Sequence, residues 1–224
     1  MPVLPEAESA PSPPAPKGRG RRGTRTSGDD RERAILETAE RLLEERPLSE
    51  ISVDDLAKGA GISRPTFYFY FPSKDAVVLS IIDRLVDDAG GSREEIITAL
   101  AEGGPQTGLR AGLENLYAAF RSRPGVVRAG ADLRTTNQEA RDLWAQVMEG
   151  WVADVTAVIE AERSRGAAPS GLPARELAIA LVQMNERAQY ATLLGESPSL
   201  DGDRVLDVLI DVWQRAIYGS AEPG

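Results

Sequence analysis

Side chains suited to noncovalent recognition are concentrated between residues 64 and 74. Arg64, Thr66, Tyr68 and Tyr70 carry hydrogen-bonding or cationic groups, and Lys74 follows closely. Such groups bind phosphates and the edges of bases. The chain has no Cys and no His, which excludes disulfides, Cys/His zinc sites, thiol nucleophiles and imidazole bases. An enzyme built on this chain would have to use carboxylates, Tyr, Ser or Lys, and we expect no catalytic constellation, metal site or cofactor.

Two short helices joined by a glycine turn are predicted to position these side chains. Ser52 is a suitable N-cap for the first helix, because Asp55 stands three residues later and can complete a capping box. Gly61 tolerates a positive φ, so the first helix can stop and the chain can turn. Ser63 caps the second helix, and Pro65 falls in its first turn, where the missing N–H costs nothing.

The second helix is predicted to bury one face and expose another. Phe67 and Phe71 lie four residues apart and share the buried face, whereas Arg64 and Tyr68 share an outward one. Two helices joined in this way form a helix-turn-helix, whose second helix enters the major groove of DNA. The alternative is an ordinary helical hairpin whose aromatic run belongs to the core. The residues expected to contact DNA are Ser52, Val53, Arg64, Pro65, Thr66, Tyr68, Tyr70 and Lys74.

The run from Ile51 to Lys74 resembles the DNA-binding domain of TetR-family transcriptional repressors. Its most specific segments are Gly61-Ile62-Ser63, Pro65-Thr66-Phe67-Tyr68 and Phe71-Pro72-Ser73-Lys74. Segments nearer the C-terminus resemble the EthR-type mycobacterial repressors of that family, namely residues 161–169, Met184-Asn185-Glu186-Arg187, Trp213 and Ile217-Tyr218-Gly219. The resemblance covers about residues 28 to 220. It implies a homodimeric repressor that binds a palindromic operator, is released by an apolar small molecule and controls a neighbouring flavin-containing monooxygenase gene.

The N-terminal residues have the composition of a tail. Residues 1–16 contain six prolines and two glutamates, and such a segment cannot bury enough surface to order itself. The stretch 17–25 then carries five positive charges and no negative one. It is either a solvated basic tail or an arm that contacts phosphates or the minor groove through Arg21, Arg22 and Arg25.

The net charge of −9 is unevenly distributed. Residues 1–80 hold 12 basic and 13 acidic groups, whereas residues 81–224 hold 14 and 22. The acid excess therefore belongs to the C-terminal part and does not oppose DNA binding by the N-terminal part. No apolar run reaches the roughly 18 to 20 residues that a membrane span needs, and the start lacks the pattern of a secretory signal. We expect a cytoplasmic protein without a membrane partner.

The expected architecture is all-α, with a three-helix head at 29–72 between a tail at 1–28 and a helical ligand-binding and dimerisation body at 73–220. The first helix begins at Asp29 or Asp30, and Ser73 caps a long helix that joins the head to the body. Further helices are predicted at 93–102, 106–122, 126–133, 137–165, 173–195 and 201–218, with Gly103-Gly104-Pro105 among the breaks.

One body helix carries a large apolar face. Trp144, Met148, Trp151 and Val155 follow helical spacing, which by itself indicates core. A largely apolar lining with few polar groups also suits a small-molecule pocket, and the EthR-type resemblance implies a long apolar tunnel there. On that resemblance the ligand-binding residues are Gly112, Leu116, Phe120, Trp144, Met148, Trp151, Val155, Asn185, Tyr190 and Trp213, with Asn185 orienting the ligand. The chain departs from the subgroup pattern at Leu109, Leu116 and Asp154.

The last two predicted helices are apolar over more than one face, which is more than a surface helix needs. They are either deeply buried within the monomer or partly buried against a second copy. The resemblance implies a homodimer through a four-helix bundle, which suits a palindromic operator. Two rivals stay open: an all-α ligand carrier or enzyme that merely retains the head, and an activator or global nucleoid binder.

Overall fold

The computed structural model describes residues 28–90 and 93–219, with side chains at 28–87 and 107–219. This part of the chain contains nine α-helices, one 3-10 turn at Leu48–Glu50 and no strand, which confirms the all-α prediction. The helices are α1 Gly28–Glu45, α2 Val53–Gly59, α3 Arg64–Tyr70, α4 Lys74–Gly90, α5 Arg93–Arg121, α6 Pro124–Thr136, α7 Gln138–Ser164, α8 Ala174–Leu194 and α9 Val205–Tyr218. None of these described helices is long and apolar enough to cross a membrane.

The predicted tail and basic arm, with Arg21, Arg22 and Arg25, lie outside the described residues.

The helix-turn-helix forms through the caps that the sequence predicts. The Ser52 hydroxyl accepts a hydrogen bond from the Asp55 amide at 3.1 Å, and the Asp55 carboxylate accepts one from the Ser52 amide at 3.0 Å. The hydrogen bonds from Ser52 hold the pKa of the Asp55 carboxyl below its usual value. Gly61 turns the chain at φ 67°. The Ser63 hydroxyl then accepts the Thr66 amide at 3.3 Å and caps α3.

The core of the head extends beyond its three helices. Phe67 and Phe71 are buried, as predicted, against the apolar stripe of α1. Side chains of α4 and α6 join the same cluster across the boundary predicted at residue 72. They are Val77, Val78, Ile81 and Ile82 of α4, and Val126, Ala129 and Leu133 of α6. The head is therefore packed continuously on two helices of the body.

The N-terminus of α6 approaches the C-terminus of α1 very closely. A Cβ atom added to Gly125 would lie 2.5 Å from the Leu43 carbonyl carbon and 2.9 Å from the Glu44 amide nitrogen, both backbone atoms. The Gly125 amide donates to the Glu44 carboxylate at 3.0 Å, and Arg123 pairs with Glu40 at 3.6 Å. Only glycine allows the two helices to approach so closely here.

Helices α5, α7, α8 and α9 pack around a second apolar cluster. Its buried members include Leu113, Val152, Ile159, Leu181, Leu209 and Trp213. At one end of the cluster, the Tyr218 hydroxyl of α9 donates to the Glu162 carboxylate of α7 at 2.9 Å. Burial and this hydrogen bond raise the pKa of Tyr218. Arg165 also pairs with Glu162, so the carboxylate ties the end of α9 to the end of α7.

Some predicted helix boundaries were wrong. The predicted break at Gly103-Gly104-Pro105 is absent, and α5 continues from residue 93 to residue 121. Glycine and proline lower helix propensity and proline removes one backbone donor, but neither forbids a helix that packs on α4, α6 and α9. Helix α6 begins at Pro124, before the predicted start at residue 126, because proline is favoured in the first turn of a helix. The last helix begins at Val205 rather than at residue 201, because residues 202–204 form a turn.

Candidate functional site

The outward face of α3 is exposed and ordered by its own contacts. The Arg64 guanidinium pairs with the Asp54 carboxylate of α2 at 3.2 Å and lies 3.4 Å from the Tyr68 hydroxyl oxygen. It also stands 5.8 Å from the centre of the Tyr68 ring. The Tyr68 hydrogen bond and the Asp54 charge raise the pKa of Arg64, so this face presents a permanent cation beside an exposed phenol.

Phe69 on this face was missed by the sequence interpretation. Its side chain is 82% exposed, the highest value among the large exposed hydrophobic residues of the described chain, and its ring stands edge-on to Tyr70. Phe69 lies two residues from both Phe67 and Phe71, so helical periodicity turns it away from the buried face. That periodicity was the signal that could have identified it. An exposed apolar ring on α3 can contact thymine methyl groups or sugars.

Several predicted DNA contacts have structural roles. The hydroxyls of Ser52 and Thr66 take part in the helix caps, and Val53 and Tyr70 are half-buried against the head core. Of the residues predicted for α3, only Arg64, Pro65 and Tyr68 are exposed.

Lys74, predicted as a DNA contact, lies at the start of α4 and is half-buried. Its ammonium donates to the carbonyls of Leu48 and Ile51 at 2.7 and 2.8 Å. These two bonds fix the segment that leads into α2. A phosphate contact by Lys74 would have to use the third N–H of the ammonium.

The body contains a chamber of about 230 Å³ between α4, α5, α6, α7, α8 and α9. Its lining is mainly aliphatic and aromatic, with Phe120, Trp144 and Trp151 packed edge to face at 5.8 to 6.3 Å between ring centres. The structure brings nine of the ten predicted ligand-binding residues into this lining: Gly112, Leu116, Phe120, Trp144, Trp151, Val155, Asn185, Tyr190 and Trp213.

Met148 is the exception, because it packs against the second core cluster and does not line the chamber. At about 100° per residue, Met148 is rotated about 40° from Trp144, on the side opposite to Trp151. The lining therefore follows the Trp151 side of the stripe, where Asp154 and Val158 also lie.

The chamber contains a few polar groups at defined places. Arg134 pairs with Glu186 at 3.1 Å and stacks over the Trp144 ring at 4.5 Å. Asn185, Gln189 and Trp213 are each 4% exposed, and each has one buried polar atom without a hydrogen-bond partner in the described part of the chain. Gln189 was not predicted, because a single amide in a mixed helical stretch gives no pattern.

One wall of the chamber is also the support of the head. Gly130 of α6 lines the chamber, and a Cβ atom there would lie 2.6 Å from Cδ1 of Ile82 in α4. The N-cap of α7, Asn137, donates to the Asp75 carboxylate of α4 at 3.3 Å. Through Gly125, α6 also touches α1. The same helices therefore contact the chamber on one side and the head on the other.

An N-terminal helix-turn-helix packed on an all-α body is the arrangement expected of a helix-turn-helix transcriptional regulator. Comparison with known families agrees. The profile of bacterial regulatory proteins of the tetR family matches residues 35–81, and that of the transcriptional regulator EthR, C-terminal domain, matches residues 109–219.

Two relatives extend this match over almost the whole chain. The HTH-type transcriptional regulator EthR of Mycobacterium tuberculosis H37Rv is 54% identical over 201 residues, which covers 90% of this chain and 93% of that protein. EthR of Mycolicibacterium smegmatis is 48% identical over 206 residues, covering 92% and 94%. The chain belongs to the TetR family of transcriptional regulators and is EthR-like. Because these relatives are regulators that act by binding DNA, the prediction that the chain is not an enzyme is confirmed.

Solved structures share the fold at low sequence identity. A TetR-family regulator from a Rhodococcus species has a TM-score of 0.66 at 19% identity, covering 82% of this chain and 98% of that one. FadR of Thermus thermophilus, crystallised with lauroyl-CoA, has a TM-score of 0.61 at 19% identity, covering 86% and 98%. These likenesses confirm a helix-turn-helix head joined to a helical body.

Proposed function

We propose that this EthR-like regulator is a repressor that binds a palindromic operator as a homodimer and is released by an apolar small molecule. The observation that carries the proposal is the shared α6 wall: Gly130 and its neighbours line the chamber, while Gly125 at the start of the same helix packs on the backbone of α1. A ligand that moves α6 must also move or strain the support of the head.

DNA recognition is assigned to the exposed face of α3. Tyr68 and Phe69 are exposed and Arg64 is held between Asp54 and Tyr68, so a cation and two aromatic rings project together toward the major groove. The ion pair with Asp54 already restricts the side chain of Arg64, so Arg64 loses less rotamer freedom when it binds DNA. The basic arm with Arg21, Arg22 and Arg25 adds phosphate or minor-groove contacts on the same proposal.

Dimerisation is assigned to α8 and α9. Val212 of α9 is 37% exposed and stands one turn from the half-buried Val208, which leaves an apolar strip on a helix whose other face is buried. A two-fold partner would cover this strip and present two α3 helices to successive major grooves, about 34 to 36 Å apart. As an operator-binding protein it would act in the cytoplasm.

The ligand shifts the equilibrium between two conformers of the protein. A ligand weakens operator binding only by its differential affinity for a conformer whose two α3 helices do not match that spacing. We further propose, from the likeness to the EthR proteins, that the regulated gene is a neighbouring flavin-containing monooxygenase gene.

The test is fluorescence anisotropy of the purified full chain with labelled DNA from its own upstream region, at fixed salt. Tyr68→Ala and Phe69→Ala each should weaken binding about 5- to 150-fold, since each removes contacts worth about 1 to 3 kcal/mol. Phe69→Ala should change thermal stability by less than about 0.5 kcal/mol, because Phe69 is 82% exposed. Tyr68→Ala should cost about 0.5 to 1.5 kcal/mol, because its ring packs edge-on against Phe67 at 5.6 Å between ring centres. Leu172→Ala is the matched control, as Leu172 is also exposed, at 64%, but lies in the loop before α8.

The same titration separates the rivals. A ligand carrier or enzyme whose helix-turn-helix has no DNA-binding function would not bind this DNA. A nucleoid binder would bind scrambled DNA of equal composition as tightly as the upstream DNA. Equal affinities of the wild type and both aromatic variants would refute the assignment of the α3 face.

A further inference from the structure

We infer that the effector is an uncharged molecule whose polar head carries both a hydrogen-bond acceptor and a donor, as a carboxamide does, and that Gln189 recognises this head. The inference rests on the proposed ligand-released function and specifies which chemistry the chamber selects. The hydrocarbon part of such a ligand would lie against the aromatic lining of the chamber.

Three buried polar side chains line this one apolar chamber. Asn185 and Gln189 lie one turn apart on α8, and Trp213 lies on α9. The Oδ1 atom of Asn185, the Nε2 atom of Gln189 and the Nε1 atom of Trp213 have no hydrogen-bond partner in the described chain. Most buried polar atoms in proteins are paired, and leaving one unpaired is costly. Three unpaired atoms around one chamber indicate that a bound molecule supplies the partners.

The charges of the lining favour an uncharged ligand. Arg134 is the cation among the lining residues whose side chains the structure describes, and it is already paired with Glu186 and stacked on Trp144. A carboxylate or phosphate would therefore enter an apolar chamber without an uncommitted counter-ion, which is strongly unfavourable. Binding of a cationic ligand is also unfavourable, because the Glu186 carboxylate is paired with Arg134 and Asp154 already has an interaction of its own.

The tyrosines of the lining do not change this balance. Burial raises the pKa of Tyr190, and burial with the bond to Glu162 raises that of Tyr218. Both hydroxyls therefore remain uncharged at neutral pH and supply no charge for a ligand to match.

The donor and acceptor types define the polar head. The Trp213 indole N–H and the free N–H of Gln189 require an acceptor, whereas Oδ1 of Asn185 requires a donor. A carboxamide presents a carbonyl oxygen and an N–H within one small planar group, so it can satisfy both kinds of partner. A hydrocarbon would satisfy neither, and a site built to hydrogen-bond a polar group discriminates strongly against analogues that lack it.

The test compares three probes that share one skeleton: 4-propylbenzamide, propylbenzene and 4-propylbenzoate. Dissociation constants are measured for the full chain by isothermal titration at about neutral pH. The amide should bind about tenfold more tightly than propylbenzene, as expected for one or more satisfied hydrogen bonds. The benzoate should bind more weakly than propylbenzene, because its charge has no partner.

Variants assign the preference to Gln189. Gln189→Leu should reduce the advantage of the amide, because Trp213 and Asn185 still offer partners, and should leave the affinity for propylbenzene within about twofold. Gln146→Leu is the matched control, because Gln146 is exposed on α7 and does not line the chamber; it should preserve the wild-type order. If leucine disturbs folding, Gln189→Met removes the same amide atoms from an unbranched side chain and gives the same comparison.

The outcomes separate this inference from the proposed function. If propylbenzene binds but the amide binds no tighter, or if the benzoate binds best, the inference is overturned while the chamber remains a ligand site. If Gln189→Leu kept the full preference for the amide, Gln189 would not recognise the polar group of the ligand. If none of the three probes binds, the ligand-binding role of the chamber itself fails.

Discussion

Replacing Gly125 by alanine tests whether α6 supports the head as closely as its geometry indicates. The added Cβ would lie 2.5 Å from the Leu43 carbonyl carbon and nearer still to the carbonyl oxygen, about 1 Å short of an ordinary contact at 3.4 Å. Both partners are backbone atoms of α1, so no side chain can rotate away. The start of α6 must therefore move away from α1 or the contact must stay strained.

Overpacking of this kind costs about 1 to 3 kcal/mol. For a chain of this size, 1 kcal/mol shifts the melting temperature by about 2 to 4 °C, so Gly125→Ala should lower it by about 2 to 12 °C. The same displacement should weaken operator binding, because α1 packs directly on the helix-turn-helix. Differential scanning calorimetry and DNA anisotropy measure the two effects.

Two other helical glycines provide a graded control. A Cβ atom added to Gly150 of α7 would meet no atom within 4 Å, so Gly150→Ala should stabilise by up to about 1 kcal/mol through helix propensity. Gly130→Ala would contact Cδ1 of Ile82, the end of a flexible side chain, and should fall between the two. If Gly125→Ala melts at or above the temperature of Gly150→Ala, the tight contact between α1 and α6 does not exist and α6 cannot couple the chamber to the head in this way.

Three further perturbations have defined outcomes. Lys74→Met removes two charge-assisted hydrogen bonds to backbone carbonyls and should lower the free energy of unfolding by about 1.5 to 3 kcal/mol. An unchanged melting temperature would mean that these bonds do not stabilise the fold and that Lys74 only contacts DNA. Because the pKa of Tyr218 is raised, the wild type should lose stability above about pH 10, where only the unfolded tyrosine ionises, and Tyr218→Phe should show a shallower alkaline decline. Deleting residues 1–26 should reduce the slope of log affinity against log salt concentration by up to about 4.5, because five cations are removed. An identical slope would show that the arm does not contact the phosphates.

The features that the sequence predicted well are those fixed by neighbouring residues. Ser52, Ser63 and Pro65 determine helix starts through contacts within one turn, and the structure places all three as expected. The burial of Phe67 and Phe71 follows from a spacing of four residues. The lining of the chamber was predicted mainly through family resemblance. Met148 was included on that resemblance, but it packs against the core cluster, as helical spacing by itself indicated.

The features that the sequence did not predict depend on distant contacts. Lys74 bonds to carbonyls 23 and 26 residues away, and no local pattern distinguishes such a lysine from one that binds phosphate. The continuity of α5 through Gly103, Gly104 and Pro105 opposes local helix propensity, so propensity alone could not predict it. Gln189 becomes notable only when its burial and its unpaired nitrogen are known.

The most direct test of ligand release fills the chamber from within, through Gly112→Trp. Gly112 lies on α5 in the lining of the chamber, so an indole introduced there should occupy the space of a ligand. Operator binding is measured by anisotropy and stability by calorimetry on the same sample. We predict a higher melting temperature together with loss of operator binding. Destabilisation by several kcal/mol, as expected when a dense core is overpacked, or a stabilised protein that still binds its operator with unchanged affinity, would contradict ligand release through this chamber.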